Sequence, residues 1–538
     1  MPAKSMRAQL AAIPGLGAGN VLTTLISRGD RLDEPVLTFD TATGRHPAWQ
    51  PLTLRQLDEL TLARAASLRA LGIGMRDPLA VCAPTAADTT LTFLAAVRLG
   101  AIPALINPYL PADLLAEYIR RLGAAGLVTD PGHASALAAY DTGTPLLADF
   151  TTLGQGDPGQ APAPYRHFPT DPVAITHSSG TTGLPKAVVH SHASLFAAIR
   201  YRLGLPRPQG MERLLSAMPC AHAAGLIVIN LGMCSGGEVA MLSRQTGPGV
   251  LAAIESWRPR CVVGFSSTWP DLVKARLEEH DLSSVALWWN TGDCAHETHI
   301  RKLVASGSRE TVTSAGRQRV TGSVFVDGLG SSEMGHSHFS IAHTRDTNRY
   351  GRCIGRPHSF AETVVMAPDG TQLPPGQVGE LGTKSETLSL GYWNDSARTY
   401  RTRVGGYFLT GDVVYRDEDG YFYHLDRKVD SVDLGDGGFL YTAASEERVL
   451  AACPDVMDCT LVALTEDGRV VTDVLLQLEA GADPGADRGD QVRAALEPRV
   501  AATVRDVIAV GDDNLPLTAT GKVRKFVLRQ RHLESVQR

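Results

Sequence analysis

The chain has 538 residues, of which 43% are hydrophobic and 20% charged, and its formal net charge is -6 at pH 7. A chain of this length is too long to fold around a single hydrophobic core, which predicts about two to four domains. The weak acidity gives no electrostatic basis for binding nucleic acid or an anionic membrane. No apolar run approaches the roughly 18 residues of a membrane span, and the eight cysteines lack the spacing of a metal or redox motif. We therefore expect a cytoplasmic location.

Short apolar runs alternate with amphipathic segments along most of the chain, which predicts α/β layering. The predicted strands, in chain order, are 78–83, 125–130, 172–177, 260–266 and 324–330. The predicted helices between the first of them are 87–100 and 111–123, the second of which has apolar residues at helical spacing. From about residue 355, turn-forming residues recur at short intervals and predict β-hairpins.

The predicted fold class is therefore α/β, with a large N-terminal domain at 1–425 made of layered α/β subdomains and a β-rich subdomain at about 355–425. After Asp426 the pattern of strands and helices returns. The remaining stretch of about 110 residues is long enough for a separate small domain at 426–538, which we expect to be α+β.

One stretch, HSSGTTGLPKAVVHSH from His177 to His192, has the composition of a phosphate-binding loop. Its glycines allow close approach of the backbone, successive N–H groups form an anion-binding concavity, and a lysine adds charge. The spacing differs from the Walker A pattern, because the lysine is followed by alanine. The candidate phosphate-binding residues are Ser178, Ser179, Gly180, Thr181, Thr182, Gly183 and Lys186.

This loop resembles the signature of the adenylate-forming superfamily, which includes acyl- and aryl-CoA synthetases, luciferases and peptide-synthetase adenylation domains. Other segments resemble the family's motifs in the family's order. They are GAIPALINPYLPADLLAEYIRRL at 100–122, PCAHAAG at 219–225, LGSSE at 329–333, LGYWNDSARTY at 390–400, YFLTGD at 407–412 and PLTATGK at 516–522. The resemblance covers nearly the whole chain.

The resemblance implies an ATP-dependent ligase that works in two half-reactions. A carboxylate attacks the α-phosphate of ATP to give an acyl-adenylate and pyrophosphate, and a nucleophile, commonly the CoA thiol, then displaces AMP. The implied cofactors are ATP, Mg²⁺ and CoA. The implied partners are a small-molecule acid and a CoA or carrier-protein acceptor, with no nucleic acid or membrane, in a monomer or homodimer.

The resemblance also implies roles for individual residues. Glu333 would hold Mg²⁺, and Lys522 would stabilise charge between the carboxylate and the α-phosphate. Asp412 would accept hydrogen bonds from the ribose, assisted by Arg427, with Ser332 beside the nucleotide. The catalytic residues would be Lys522, Glu333 and Arg427.

The acyl pocket is expected close to the histidine and serine motifs. The predicted pocket residues are His222, Gly225, Asn290, Gly328, Gly330 and Met334. Of the adjacent Trp288 and Trp289, at most one can face the pocket, because neighbouring side chains on a strand point in opposite directions. His336 and His338 are expected to be surface or core residues and not ligands.

The junction at 426–447 departs from the family pattern. The family has a pivot here for rotation of a small, mobile C-terminal domain, which implies a hinge at about 426–430. The pivot position falls on Val429 or Asp430, and Asp433 stands where a lysine is expected. Replacing a cation with an acid reverses the charge near an anionic cofactor.

Adenylation is consequently the firmer prediction, followed by transfer to CoA. One alternative is an enzyme that passes a small activated anion to an amine or another non-CoA nucleophile, as amide- and diazo-forming relatives do. Another is a thioester-forming member that uses a preformed adenylate. A non-catalytic acyl- or AMP-binding protein belongs to a different class.

Overall fold

The computed structural model describes residues 5–178, 184–313, 316–466, 468–511, 515–516, 523 and 525–536. The strands up to the phosphate-loop region are β1 (Pro35–Phe39), β2 (Leu52–Thr53), β3 (Pro78–Cys82), β4 (Ile102–Ile106), β5 (Gly126–Thr129), β6 (Leu146–Ala148), β7 (Pro172–His177) and β8 (Ala187–Ser191). The helices among them are α1 (Met6–Ala11), α2 (Val21–Arg28), α3 (Leu54–Ala70), α4 (Ala86–Leu99), α5 (Ala112–Leu122), α6 (Pro131–Leu137) and α7 (Phe150–Leu153), with a 3₁₀ turn at Pro158–Gln160.

The middle of the chain continues the alternation. Its strands are β9 (Arg213–Ala217), β10 (Glu238–Met241), β11 (Cys261–Phe265), β12 (Leu287–Thr291), β13 (Ser308–Thr313), β14 (Gly316–Thr321), β15 (Val324–Asp327) and β16 (Phe339–His343). Its helices are α8 (Ser194–Gly204), α9 (Ala223–Ser235), α10 (Gly247–Trp257), α11 (Thr268–Lys274) and α12 (Glu297–Ala305), with a 3₁₀ turn at Leu277–Glu279.

The rest of the chain is richer in strands. These are β17 (Cys353–Pro357), β18 (Ala361–Met366), β19 (Gly379–Ser385), β20 (Gly391–Tyr392), β21 (Arg403–Val404), β22 (Tyr407–Arg416), β23 (Phe422–Arg427), β24 (Val432–Gly435), β25 (Gly438–Leu440), β26 (Val456–Glu466), β27 (Arg469–Leu478) and β28 (Val504–Ala509). The helices are α13 (Ser396–Arg401), α14 (Thr442–Ala452), α15 (Gly489–Ala495), α16 (Pro498–Ala501) and α17 (Lys525–Val536).

One sheet has the order β20-β8-β7-β4-β3-β5-β6. Strands β3 to β7 run parallel within it, while β8 and β20 are antiparallel to their neighbours. Strand β4 is buried along its whole length, which is why it is apolar without alternation. The preceding helix, α4, ends at Gly100 in a left-handed conformation with φ of 75°, a conformation that glycine adopts without strain.

The second sheet has the order β18-β19-β22-β23-β17-β16-β15-β12-β11-β9-β10-β1-β2, with β21 paired to β22. Its middle section, from β15 to β10, is parallel, and its β17 to β23 section is antiparallel. The predicted α/β class is therefore confirmed. In this sheet the run of antiparallel strands that includes β17 to β23 begins with β16 at Phe339–His343.

The carboxy-terminal region from β24 onward forms separate sheets. Strands β24 and β25 make a hairpin, and β26, β27 and β28 make a three-stranded sheet. Their buried apolar residues, from Leu440 to Val504, pack into a cluster of their own. The domain boundary at 425–426 and the hinge at 426–430 remain predictions.

Contacts nevertheless join this region to the large part of the chain. Helix α12 is central to them, since His296 Nδ1 lies 2.5 Å from Glu447 Oε2 and His299 Nε2 lies 2.9 Å from the Met457 carbonyl oxygen. Lys302 also pairs with Glu479. In the described part of the chain, none of the helices combines the length and the apolar character needed to cross a bilayer.

Candidate active site

The main cleft, of about 750 Å³, lies where the parallel strands of the second sheet end. The chain segments that leave β9, β11, β12 and β15 supply His222, Ser266, Gly292 and Gly330 to its lining. Ligand sites in open α/β sheets are generally found beyond the carboxyl ends of the strands. The fold therefore brings together motifs more than a hundred residues apart in sequence.

The predicted phosphate loop leaves the end of β7 and returns as β8. The Ser178 N–H donates to the carbonyl oxygen of Lys186 at 3.1 Å, which closes the base of the loop. Both residues line the cleft. The tip of the loop, with Ser179, Gly180, Thr181, Thr182 and Gly183, lies outside the described residues. A Walker A loop leads into a helix, whereas this loop connects two antiparallel strands.

Glu333 is buried, with 7% of its surface exposed, and lines the cleft. Its Oε1 accepts a hydrogen bond from the Tyr392 hydroxyl at 3.0 Å. Tyr392 belongs to β20, which pairs with β8, and its ring lies 5.6 Å from Lys186 Nζ. Burial lowers the pKa of Lys186 and Glu333 acts in the opposite direction. A buried carboxylate and a partly buried ammonium group thus face the same cleft.

Asp412 and Arg427 pair across β22 and β23, with Arg427 Nη1 donating to Asp412 Oδ1 at 2.8 Å. Asp412 is buried and does not itself line the cleft, whereas Arg427 does. Burial acts to raise the pKa of Asp412, but Arg427 and His424 outweigh it and the pKa is about 2. Asp412 is therefore an ionised acceptor at neutral pH, held behind a cation.

A second layer of charged groups supports this pair. His424 Nε2 lies 3.3 Å from Asp412 Oδ1, and its Nδ1 lies 3.4 Å from Asp293 Oδ1. Arg352 donates to the His424 carbonyl oxygen at 3.0 Å and to Asp293 at 3.1 Å. Burial acts to lower the pKa of His424, but the two carboxylates outweigh it and the pKa is raised. Asp293 lies in the stretch 290–294 that was expected near the acyl pocket. His424 and Arg352 were not predicted from the sequence, because they act only through long-range contacts.

His222 caps helix α9 at the edge of the cleft. Its Nδ1 accepts from the Ala224 N–H at 3.1 Å, so the ring proton is on Nε2, which lies 3.0 Å from Ser332 Oγ. The α9 N-terminus therefore faces the cleft, and its partial positive charge favours an anion there. His222 and Ser332 are predicted site residues that the fold brings into direct contact.

The predicted pocket residues divide into two groups. His222 and Gly330 line the cleft, whereas Gly225, Gly328, Asn290 and Met334 are absent from its described lining. The two absent glycines sit at close contacts instead, because an added Cβ would lie 2.6 Å from the Pro219 carbonyl oxygen at Gly225 and 2.4 Å from that of Phe339 at Gly328.

Asn290 is fully buried in a hydrogen-bond network behind the cleft. Its Nδ2 donates to Asp327 Oδ1 at 2.5 Å and to the Asp293 carbonyl oxygen at 2.6 Å, and its Oδ1 accepts from Trp269 Nε1 at 2.7 Å. Met334 is also fully buried. Asn290 and Met334 therefore lie in the buried structure behind the cleft and do not line it.

Two residues at the far wall of the cleft were not assigned to the pocket. Trp289 and His336 both line it, while Trp288 points to the opposite face, where its Nε1 donates to Ser323 Oγ at 2.8 Å. This agrees with the alternation expected for the two tryptophans. His338 is buried in the core, and only the position of His336 beside the cleft was missed.

At the carboxy-terminal end of the chain, Lys522 lies outside the described residues. Its neighbours Val523 and Lys525 line the cleft. Lys525 Nζ lies 2.7 Å from Glu446 Oε1 and donates to Thr442 Oγ1 at 2.6 Å. This anchors the start of α17 to α14 at the edge of the cleft.

Comparison with known proteins gives the family. The model of the AMP-binding enzyme family matches residues 29–393. The chain belongs to this family. It is 43% identical to a 3-aminoavenalumate diazotase from Streptomyces sp, over 98% of this chain and 97% of the relative. It is 28% identical to a feruloyl-CoA synthase from Amycolatopsis sp, over 89% of this chain and 94% of the relative.

Solved structures agree in fold. An anthranilate CoA ligase in complex with anthranoyl-AMP superposes with a TM-score of 0.82 at 20% identity, covering 97% of this chain and 98% of that one. Together with the family match, these relatives identify the chain as an acid-activating, AMP-forming ligase that is ATP-dependent. The predicted membership of the adenylate-forming superfamily is thereby confirmed. The nucleophile of the second half-reaction is a separate question.

Proposed function

We propose that this enzyme is an ATP-dependent diazotase, which activates nitrite as an adenylate and transfers the nitrosyl group to an aromatic amine. The identity to the diazotase extends along nearly the whole chain and exceeds that to the feruloyl-CoA synthase. The observation that carries the proposal is the acidic junction after β23. Asp433 and Asp436 are exposed on the β24–β25 hairpin, where a polyanionic acceptor such as CoA would be repelled.

The two half-reactions balance without an additional oxidant. A nitrite oxygen attacks the α-phosphorus of ATP, forming a P–O bond and releasing pyrophosphate. The amine nitrogen then attacks the nitrosyl nitrogen, and the N–O bond to AMP breaks. The protonated N-nitrosamine first formed loses one N–H proton. Its second N–H proton moves to oxygen to give the diazohydroxide, which takes up one further proton on oxygen and releases water to leave the diazonium ion. Only aromatic diazonium ions persist in water, so the amine is an aryl amine.

The cleft accommodates an aryl ring next to the nucleotide site. Its lining includes Phe265 and Trp289 together with the apolar side chains of Ile227 and Val228. Aromatic and aliphatic walls with a few polar groups are typical of pockets for planar ligands. The names of two CoA-ligase relatives refer to feruloyl and 4-coumarate groups. Both groups contain one aromatic ring, as does the aryl amine proposed here.

In this proposal the loop residues Ser178 to Lys186 bind the β- and γ-phosphates, and the Lys186 ammonium group neutralises part of their charge. Mg²⁺ fits Glu333, because this ion is commonly held by one or two carboxylates together with substrate phosphates. The buried carboxylate of Glu333 has a tyrosine hydroxyl as its partner, which leaves acceptor capacity for a cation. Bound Mg²⁺ would neutralise phosphate charge during adenylation.

The remaining predicted residues act on the nucleotide and on the anion that attacks it. The family resemblance assigns Asp412 to the ribose hydroxyls. Because its carboxylate lies behind Arg427, Arg427 is the residue of this pair that lines the cleft and contacts the ribose region. Lys522 neutralises negative charge as nitrite approaches the α-phosphate. Ser332, which His222 contacts, lies beside the nucleotide. These roles combine the family resemblance with the positions of the described side chains.

The decisive experiment supplies ATP, Mg²⁺, nitrite and 3-amino-4-hydroxycinnamate at pH 8, where free nitrous acid is negligible. We expect AMP and pyrophosphate to form only when nitrite is present, and the diazonium ion to be trapped as an azo dye. Omitting ATP gives the background of uncatalysed diazotisation. CoA should not accelerate AMP release.

One result of this experiment would contradict the diazotase proposal. If the enzyme makes an aryl-CoA thioester from the cinnamic acid while nitrite produces no AMP, the acceptor is CoA and the diazotase proposal is wrong. CoA is the second candidate acceptor because relatives that form CoA thioesters cover most of the chain. A Lys522→Ala variant should lose AMP formation in either case.

A further inference from the structure

A positively charged side chain lies behind the far wall of the cleft. Behind Trp289 and His336 lies Arg202, from helix α8. Its guanidinium carbon is 4.6 Å from the centre of the Trp289 ring, and its Nε donates to His336 Nε2 at 3.2 Å. His336 Nδ1 lies 2.9 Å from the Ser337 carbonyl oxygen, so the proton is on Nδ1. Stacking and this hydrogen bond together fix the plane of the guanidinium.

Arg202 has no acidic partner within the described ranges. Burial lowers the pKa of its guanidinium to about 10, and the one group that acts in the opposite direction is the phenol of Tyr201. The guanidinium is therefore charged at neutral pH. Arg64 and Arg352 are more deeply buried than Arg202, and each has a carboxylate partner, Asp88 at 2.5 Å and Asp293 at 3.1 Å respectively.

The polar groups around Arg202 cannot neutralise its charge. Burial lowers the pKa of His336 well below its ordinary value, and Arg202 adds to this effect. Burial likewise lowers the pKa of His338 to about 3 and that of His358 to about 4. All three rings are neutral at the pH of the cell. Arg202 keeps intermediate solvent exposure, and a cation that is partly enclosed without an anion loses part of its hydration, so a bound anion would stabilise this region.

Space is available beside the guanidinium. Arg202 lines a second cavity of about 240 Å³, which also contacts Trp289. Arg7 and Arg207 line the same cavity, and much of the rest of its wall is apolar, as at Val324 and Val326. Trp289 lines the main cleft as well. A single indole side chain therefore separates the aryl pocket from the cation.

We propose that Arg202 recognises a carboxylate at the end of the aryl substrate remote from the reacting nitrogen, with His336 as a positioning residue. This inference rests on the proposed function, in which the amine reacts at the nucleotide and any acid group of the substrate stays unactivated. A planar guanidinium binds a carboxylate through two parallel hydrogen bonds. The substrate class is thus an aminoaryl acid with its acid group on a tail.

The test compares an acid with its neutral analogue. Wild-type enzyme should use 3-amino-4-hydroxycinnamate with a kcat/KM roughly 10- to 100-fold above that of the primary amide, since hydrogen bonds to a charged group contribute about 1.5–3 kcal/mol. Arg202→Met should lower kcat/KM for the acid by a similar factor, mainly through KM, and leave the amide almost unchanged. Arg202→Lys should recover part of the preference.

Two controls separate recognition from folding. Nitrite-driven exchange of pyrophosphate into ATP should be unchanged in Arg202→Met, because that half-reaction does not involve the aryl substrate. Arg166→Met, which removes an exposed arginine that lines neither cavity, should keep the acid preference. The increase in unfolding temperature on adding the acid or the amide, measured without ATP, compares their binding independently of turnover. We expect the acid to stabilise the wild type more than Arg202→Met, and the amide to stabilise both equally.

The outcomes are distinct. If wild-type enzyme shows nitrite-driven exchange but uses the acid and the amide equally well, this inference is wrong and the diazotase proposal stands. An Arg202→Met variant that loses both substrates equally would also overturn it, because a purely structural role predicts that result. If nitrite drives no exchange in the wild type, the proposed function itself fails.

Discussion

Replacing Asn290 with alanine tests whether this residue belongs to the pocket or to the framework behind it. The substitution removes two donors and one acceptor from a fully buried network. It leaves the Asp327 carboxylate short of one charge-assisted hydrogen bond and the Trp269 indole N–H unpaired. Loss of a hydrogen bond to a charged group costs about 1.5–3 kcal/mol and a buried unpaired donor about 1–3 kcal/mol, so we expect the free energy of unfolding to fall by roughly 2.5–6 kcal/mol.

The loss should depend on pH. Burial raises the pKa of Asp327 to about 6, above the ordinary value of 3.8. Burying its ionised form therefore destabilises the fold increasingly as pH rises from about 4, and fully above about 6. Because Asn290 offsets part of this penalty, Asn290→Ala should be more damaging at pH 8 than at pH 5.

The assay is thermal unfolding followed by tryptophan emission, since Trp269 and Trp288 are both buried in this region. The chain has several cores, so the first transition temperature is a better measure than a two-state free energy. At roughly 2–4 °C per kcal/mol, the expected decrease is on the order of 10 °C at pH 8. The neighbouring Thr291→Val, which alters a side chain lining the cleft, should shift it far less.

One result would refute this reasoning. If Asn290→Ala unfolds at the wild-type temperature at both pH values while its KM for the aryl substrate rises, the side chain contacts the ligand. The original assignment of Asn290 to the pocket would then be correct.

Two further predictions concern the nucleotide site and the carboxy-terminal region. Asp412→Asn should lower kcat/KM for ATP in pyrophosphate exchange by roughly 10- to 100-fold. The substitution removes an ionised acceptor and the ion pair that orients Arg427. Unchanged exchange kinetics would contradict the ribose role. Burial acts to lower the pKa of His296, but Glu447 outweighs it and the pKa is raised, while Glu447 has a lowered pKa. Their pair is therefore fully present between about pH 4.5 and 6.5 and is lost above the raised pKa of His296. Tryptic cleavage at Lys428, which is exposed, should accelerate as pH rises through that pKa in the wild type, and a Glu447→Gln variant should show faster cleavage without this pH step.

Much of the local structure could be predicted because it depends on neighbouring residues. The predicted strand 172–177 coincides with β7, since an apolar run bounded by turn residues has few alternatives. The predicted helix 111–123 corresponds to α5 at Ala112–Leu122, which ends at Gly123 with φ of 60°. The phosphate loop was recognised as a loop, but its continuation into an antiparallel strand was not expected.

The candidate site could be predicted only in part. Residues within compact motifs, such as Lys186, Ser332 and Glu333, do line one cleft, because each motif leaves a strand end at the same edge of the fold. Arg202 gave no signal in the sequence. It lies on an ordinary helix, and its lack of a carboxylate partner becomes visible only when Trp289 and His336 are packed against it.

The amino-acid sequence by itself determined the α/β class, the order of the motifs and a phosphate-binding loop, since these depend on local backbone geometry and on residue types that phosphate binding requires. The adenylate-forming chemistry came from the resemblance of those motifs to a known family. Tertiary structure alone decided which side chains face the cleft, as with Trp289 and Asn290, which are adjacent on β12. The physical reason is that side-chain direction and the balance of buried charge depend on strand register and on contacts between distant segments, and neither is encoded in any single stretch of residues.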